Sequence, residues 1–287
     1  MSHPFKAVTL IGKYMDPRMR EYVEALAVLL NQRGIKIHIE MVTAEKLGIS
    51  DIPSVAMEGV GKVSDLVIVL GGDGTMLTAA RALLDDHVPL VGINRGRFGF
   101  LTDISTDGML QAVGKILDGE YTVEQRILLG ADIVRNGRVL SKGRALNDIV
   151  VSKGGQARLI ELEVTIDGQY VHRQRSDGLI VSTPTGTTAY ALSAGGPLLH
   201  PTLEAIALVP ICPHTLSNRP FAINSNSTVE ITLMRADDAR VHFDGQLHAE
   251  LSMGDKVIIN RLNNTIPLLH PLGHSHYELL REKLHWG

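Results

Sequence analysis

A chain of 287 residues with 44% hydrophobic and 21% charged residues has apolar material for two ordinary domains and is not intrinsically disordered. Its formal net charge of −3 argues against a general nucleic-acid or anionic-membrane binder, which would carry a basic excess. One cysteine, Cys212, rules out an intrachain disulfide and suits a reducing compartment, and no apolar run approaches bilayer length. Met1-Ser2-His3-Pro4 leads into a strand-like stretch without a basic n-region or apolar signal core. The expectation is a cytoplasmic protein with no nucleic-acid and no membrane partner.

Residues 5–11 are apolar and β-rich and predict a first buried strand. Asp16-Pro17 reads as a helix N-cap followed by proline at the first helical position. Tyr22, Val23, Leu26, Leu29 and Leu30 then recur at helical spacing, and Gly34 falls where a C′ glycine belongs. Ile35-Lys36-Ile37-His38-Ile39-Glu40 alternates strictly, predicting a strand with one wet face. After Asp65, the run 66–70 predicts a strand, Gly71-Gly72-Asp73-Gly74-Thr75 a loop, and residues 76–84 a helix. Pro89-Leu90-Val91-Gly92-Ile93 predicts a further buried strand, ending in the glycine-dense Asn94-Arg95-Gly96-Arg97-Phe98-Gly99. Residues 107–117 predict a helix stopped by Asp118-Gly119. Strands alternating with helices to about residue 120 imply a doubly wound, Rossmann-like α/β domain.

The texture changes from residue 121 to about 267, where short β-prone runs are separated by turn signals. Asn136-Gly137 and Asp167-Gly168 predict tight hairpin turns, and residues 159–166, 178–182, 228–233 and 256–260 predict strands of a mostly β domain of β-sandwich type. Residues 277–284 predict a terminal helix that returns to the first domain. The expected division is 1–120, 121–270 and 271–287.

Three stretches carry chemistry. The first is Gly71 to Thr75, where strand, glycine loop and helix present backbone N–H groups and a positive helix N-terminus to an anion. Glycine lets the backbone approach phosphate oxygens. Asp73 would be repelled by such a ligand unless it handles a metal or a proton, which points to phosphoryl transfer; its plainer role is to cap the following helix. The pattern is neither Gly-x-Gly-x-x-Gly nor the P-loop ending in Gly-Lys-Ser/Thr, which disfavours a plain dehydrogenase and a P-loop NTPase. The pairs beginning at Asp107, Asp118 and Asp167 are read as turns.

The second stretch runs from Arg175-Ser176-Asp177-Gly178 through Thr183-Pro184-Thr185-Gly186-Thr187-Thr188-Ala189-Tyr190-Ala191-Leu192-Ser193 to Gly195-Gly196-Pro197. Its hydroxyls and amides can grip ribose and phosphate oxygens, and Tyr190 offers a face to a planar base. The third is Asn147-Asp148, which suits a vicinal diol or an adenine edge, since one can donate and both can accept. Arg158 and Arg175 can balance a pyrophosphate or stand as solvated strand residues. His270, His274 and His276 lie in a Pro/Gly-containing stretch where no Cys or carboxylate completes a recognisable ligand set, and read as loop residues rather than metal ligands. Cys212, between Ile211 and Pro213, reads as packing rather than a nucleophile.

Taken together, these stretches resemble the ATP-NAD kinase family, in particular its bacterial members. Gly71-Gly72-Asp73-Gly74 matches the family's GGDG motif, Asn147-Asp148 its Asn-Glu/Asp motif, and residues 183–197 its Thr/Gly-rich loop. Gly92-Ile93-Asn94-Arg95-Gly96 and Gly99-Phe100-Leu101-Thr102 resemble the family's segment after the next strand. GGDG alone is shared with diacylglycerol and sphingosine kinases and phosphofructokinases, but the order and spacing here cover most of the chain. Two positions depart from the pattern: Asp148 stands where many members have Glu, and Phe98 where Leu is commoner.

The resemblance implies phosphorylation of the 2′-hydroxyl of the adenosine ribose of NAD, giving NADP. It implies Asp73 as the group that takes or positions the hydroxyl proton, ATP phosphates along Gly71, Gly72 and Gly74, and a divalent cation, Mg²⁺, arriving with ATP. NAD would be held by Asn147, Asp148, Arg158, Arg175, Asp177, Thr185, Thr188, Ala189, Tyr190, Ala191, Leu192 and Ser193, with Gln246 as a further contact, at a site served by both domains. Family members assemble as homodimers, homotetramers or higher oligomers through the β domain. The rivals are a lipid kinase sharing GGDG and a non-catalytic dinucleotide sensor.

Overall fold

The computed structural model describes residues 4–13, 18–94, 99–155, 158–215 and 217–286. The chain forms two compact units, Met1–Gln125 with Asn264–Gly287, and Arg126–Asn263.

In the first unit the chain runs β1 (Ala7–Gly12), α1 (Met19–Gln32), β2 (Lys36–Glu40), α2 (Met41–Leu47), β3 (Ser54–Val55), α3 (Met57–Val63), β4 (Leu66–Leu70), α4 (Asp73–Leu83), β5 (Leu90–Asn94), β6 (Ile104–Ser105) and α5 (Met109–Leu117). The strands pair in parallel in the order β6-β5-β4-β1-β2-β3. This is the doubly wound sheet expected. From β1 the chain builds outward through β2 and β3, then returns to the other side of β1 with β4 and β5. The order therefore reverses between β1 and β4, and ligands of open α/β sheets bind at the carboxyl ends of strands flanking such a reversal. Gly71 leaves β4 there, and the Lys13 N–H reaches the Leu70 carbonyl at 2.8 Å.

Every residue of β4 is buried, as helices covering both faces of a parallel sheet require. The same cause corrects one expectation. The alternation in β2 was read as one wet face, yet Ile37, His38, Ile39 and Glu40 are all buried. Glu40 instead caps α2, its carboxylate accepting from the N–H groups of Val42 (2.9 Å) and Thr43 (2.8 Å). Burial, helped by the charge of Lys36, lowers the pKa of His38 and so favours its neutral form. Gly34 sits past the end of α1 with φ +68°, as a C′ glycine should; the expected cap Asp16-Pro17 lies outside the described residues.

The second unit carries the later part of β7 (Tyr121–Arg135), β8 (Arg138–Ala145), β9 (Asp148–Lys153), β10 (Ile160–Ile166), β11 (Gln169–Ser176), β12 (Gly178–Ser182), α6 (Tyr190–Ser193), β13 (Ala205–Ile211), β14 (Phe221–Asn224), β15 (Val229–Arg235), β16 (Ala239–Phe243), β17 (Leu247–Leu251) and the first part of β18 (Lys256–Pro271). One sheet has the order β14-β13-β12-β9-β16-β17; the other joins β11-β10-β15-β18 with β7 and β8. Ile149, Val151, Leu179, Val181 and Val241 of the first sheet share one apolar core with Leu162, Val164, Ile231, Leu233 and Val257 of the second. Two sheets packed through alternate residues make a β-sandwich. The Asn136-Gly137 and Asp167-Gly168 hairpins have positive φ at both residues, the primed turn that suits strand twist.

Strand β18 continues well past the expected residue 260, through Asn263-Asn264, whose low strand propensity hid it. Its end belongs to the first unit, where Leu268 pairs in parallel with Leu90. Helix α7 (His276–Leu284) follows, capped by the Ser275 hydroxyl and burying Leu279 and Leu280. Cys212 is exposed at φ 44° rather than packed. Among the described residues, no helix is long and apolar enough to cross a membrane.

Candidate active site

Asp73 is the first residue of α4, directly beyond Gly72. Its carboxylate is held by the loop after β5: Oδ2 accepts from the Phe100 N–H at 2.9 Å, and Oδ1 accepts from the Leu101 N–H at 3.1 Å and the Thr102 hydroxyl at 3.2 Å. Three donors on one carboxylate fix its plane and orientation. The glycines around it divide by role. A Cβ at Gly72 would meet nothing within 4 Å, so that backbone is open to a ligand. A Cβ at Gly71 would lie 2.6 Å from the Thr75 hydroxyl, and one at Gly99 would lie 1.9 Å from Asp73 Oδ1. The glycine at 99 is therefore what lets the loop close on Asp73. Gly99→Ala should displace the carboxylate and cut turnover at least tenfold with the chain still folded; kcat beside a thermal melt reads this, and unchanged kcat would show the clamp to be dispensable.

The second unit has a cleft of about 360 Å³ lined by Asn147, Asp148, Val150, Ser152, Ala189, Tyr190, His242, Asp244 and Gly245, a size suited to part of a nucleotide. Asn147-Asp148 enters β9 at its floor. The Asp244 carboxylate gathers the N–H groups of Leu146 (3.1 Å), Asn147 (2.7 Å) and Asp148 (3.2 Å), which sets the backbone of the pair. Asp148 is 4% exposed; burial, and then the charge of Asp244, push its carboxyl up to about 7. At neutral pH it can thus donate as well as accept a hydrogen bond. Asn147 Oδ1 is buried without a hydrogen-bond partner, an acceptor that a ligand hydroxyl or amine would satisfy. Burial lowers the pKa of His242, helped by His248 and Arg240, which favours the neutral imidazole. The Tyr190 ring stands half-exposed, and burial followed by the charges of Cys212, Asp177 and Asp148 raises its phenol.

Residues 8–121 match the ATP-NAD kinase N-terminal domain and residues 146–270 the ATP-NAD kinase C-terminal domain. The chain belongs to the ATP-NAD kinase family. It is 56% identical over 287 residues to an NAD kinase of Thiobacillus denitrificans, covering 100% of this chain and 99% of that one. It is 50% identical to an NAD kinase of Aromatoleum aromaticum, covering 100% and 96%. Among solved structures, yeast NADH kinase complexed with NADH superposes with a TM-score of 0.90 at 24% identity, over 99% of this chain and 89% of that one. An NAD kinase from Archaeoglobus fulgidus in complex with ATP gives 0.76 at 26% identity, over 98% and 100%. Membership makes the chain an enzyme of the kinase class.

Within this ATP-NAD kinase chain, the residues singled out from sequence fall into three groups. Asn147, Asp148, Ala189 and Tyr190 line the cleft together. Asp177 approaches Tyr190 electrostatically and pairs with Lys153 at 2.8 Å. Arg158, Arg175, Ser193 and Gln246 are exposed and outside the cleft lining, Ala191 is buried and Leu192 half-buried. The hydroxyls of the Thr/Gly-rich loop were expected to grip ligand oxygens, but several are turned inward. Thr187 donates to the Pro184 carbonyl (2.6 Å) and Thr188 to that of Thr185 (3.1 Å), while Thr185 accepts from Arg126 (3.3 Å). The Thr183 N–H donates to the Asn147 carbonyl at 2.8 Å, and a Cβ at Gly186 would lie 2.2 Å from that oxygen. The loop's small residues thus let it pack under Asn147 and hold the pair in place.

Sequence reading missed Asp244 and His242. Asp244-Gly245 is one of several Asp-Gly pairs and was given no role, and only the three N–H groups on its carboxylate distinguish it. It also left the C-terminal histidines without a carboxylate. Asp103, far away in sequence, supplies one: both His270 and His274 place Nδ1 2.8 Å from its Oδ2.

Proposed function

We propose that this chain transfers the γ-phosphoryl group of ATP to the 2′-hydroxyl of the adenosine ribose of NAD, giving NADP, and thereby sets the NAD/NADP balance. The observation that carries the reading is Asp73, a carboxylate fixed by three donors at the topological switch point of an open α/β sheet, in a full-length relative of NAD kinases. With both its oxygens already oriented, Asp73 meets the incoming hydroxyl as a preset acceptor. It draws the proton off the nucleophile as the new O–P bond forms and the bond to the ADP leaving group breaks. The open backbone at Gly72 and the N-terminus of α4 take phosphate oxygens. Asn147, Asp148 and Tyr190 hold NAD, Asp148 through its raised pKa acting as either donor or acceptor toward a hydroxyl. The ATP complex of the archaeal neighbour and the NADH complex of the yeast one support the choice of ligands.

Asp73 fits a Mg²⁺ brought by ATP, since that ion is usually bound by one or two carboxylates together with substrate phosphates and water. When bound it offsets charge between the phosphates and the carboxylate. The reading also includes a cytoplasmic homo-oligomer. An exposed free thiol at Cys212 is at home in a reducing compartment, and Val139, Leu140, Tyr170 and Leu247 leave apolar surface exposed on the second unit. The test is direct: purified protein with ATP, Mg²⁺ and NAD should yield stoichiometric NADP and ADP. Binding of NAD with no NADP formed under any phosphoryl donor or divalent metal would make the chain a sensor instead.

A further inference from the structure

Asp103, His270 and His274, all in the first unit, converge although Asp103 is far from the two histidines in sequence. Their ligating atoms lie within 4.8 Å of one another, with each Nδ1 2.8 Å from Asp103 Oδ2. The two rings stack with centroids 4.1 Å apart and planes 17° apart, so the second imidazole repeats the approach of the first. His270 is 2% exposed and the side chains of His274 and Asp103 10% and 11%. A single Asp–His pair would need only one ring.

Two atoms show what the cluster is built around. Asp103 Oδ1 and His270 Nε2 are buried without hydrogen-bond partners. His270 Nε2 faces the Glu124 carboxylate at 3.7 Å. His270 Nδ1 and Asp103 Oδ2 are 2.8 Å apart: with the ring proton on Nδ1 they share a hydrogen bond, and with it on Nε2, towards Glu124, a cation between the two lone pairs takes that place.

We propose that Asp103, His270 and His274 form a binding site for a divalent cation of the Zn²⁺ class. The ion sits among Nδ1, Nδ1 and the Asp103 carboxylate, with Glu124 as the outer carboxylate that receives the Nε2 proton of His270. Two imidazoles and one carboxylate are donors for Zn²⁺, Co²⁺ or Ni²⁺ rather than Mg²⁺, and a ligating His with its other nitrogen towards a carboxylate is the usual outer arrangement. Tetrahedral bonds of about 2.0–2.1 Å put ligand atoms roughly 3.3 Å apart, so the cluster opens by about half an ångström on binding. His274 can supply that movement from its turn after β18, where its N–H reaches the Pro271 carbonyl. The ion ties the end of β18 to the loop that runs through Phe100, Leu101 and Thr102 to Asp103, the same loop that grips Asp73. Its role is therefore a clamp on that loop, separate from any metal brought by ATP.

The test uses the whole chain without nucleotides. Chelator-stripped protein is equilibrated with Zn²⁺ or Co²⁺, desalted, and assayed for bound metal, for the Co²⁺ visible spectrum and for thermal midpoint. The wild type should retain one ion per chain, show the d–d bands of a low-coordinate Co²⁺ site and melt higher with Zn²⁺. His274→Ala and Asp103→Asn should lose that ion and the bands. Glu124→Gln should weaken retention roughly 10- to 100-fold, whereas His248→Ala and Asp73→Asn should retain it. Because His274 is the least buried of the two histidines, its variant should fold, and its melt without metal verifies this. Wild type retaining no ion, or a folded His274→Ala retaining as much as wild type, would overturn the proposal.

Discussion

Asp73→Asn should lower kcat by about 10²- to 10⁴-fold, the range associated with a lost general base, while KM for ATP and NAD moves much less. The substitution is nearly isosteric, but it is not silent for the fold. An amide group at either oxygen position meets an N–H already aimed at it, from Phe100 on one side and Leu101 on the other. Losing one such bond, with a donor left facing a donor, costs about 1–3 kcal/mol, so a modest drop in melting temperature should accompany the loss of turnover. The two effects separate on comparison with Thr102→Val, which removes a donor to Asp73 and keeps the carboxylate. That variant should melt lower with a far smaller fall in kcat. A folded Asp73→Asn enzyme with wild-type kcat would remove Asp73 from the chemistry.

Asp148→Asn should make the protein more stable at pH 8 and leave it unchanged near pH 4. Burial and Asp244 raise the folded-state pKa from 3.8 to about 7, so the folded chain holds a proton that the unfolded chain releases. The stability this group contributes is fully present below pH 4 and is lost as pH rises through 7. A rise of that size is worth roughly 4 kcal/mol at most, and asparagine, which does not ionise, escapes the loss. Denaturant titrations of both proteins from pH 4 to 8 would show curves that diverge with pH; parallel curves would mean that Asp148 ionises freely. The same variant should bind NAD more weakly, because the neutral acid can donate where the ionised form accepts and asparagine has its own fixed geometry. Stability sacrificed at a binding residue is a common pattern.

The elements that were legible from sequence are those whose signal is local. Val67 to Leu70 could only be a buried strand, Gly34 a helix stop and Asn136-Gly137 a hairpin. Asp73 stood out because a carboxylate in a glycine loop contradicts an anion site. What sequence hid depends on distant partners. His38 and Glu40 alternate as if facing water, and only helices on both sides of the sheet bury them. Thr183, Thr185 and Thr187 have the composition of a ligand-gripping loop, but their bonds turn inward, to the Asn147 carbonyl, Arg126 and the Pro184 carbonyl. Asp244 drew no attention because its part lies in the backbone N–H groups it collects across the sheet. Asp103 and His270 meet across more than half the chain, which no spacing rule detects.

The path of β18 has a consequence for how the molecule is made. Its residues up to Asn263 belong to the second unit, and those from Asn264 return to the first, where Leu269 enters the apolar core with Val8, Leu10 and Ile68. The part of the first unit made before the sandwich thus lacks some of its own interior until the residues after Asn263 have been made. The sandwich, by contrast, is continuous from Arg126 to Asn263 and can close as soon as it emerges. The unit carrying Asp73 is begun before the sandwich and completed after it, so a chain released at Asn263 would have its sandwich but an unfinished Asp73 unit.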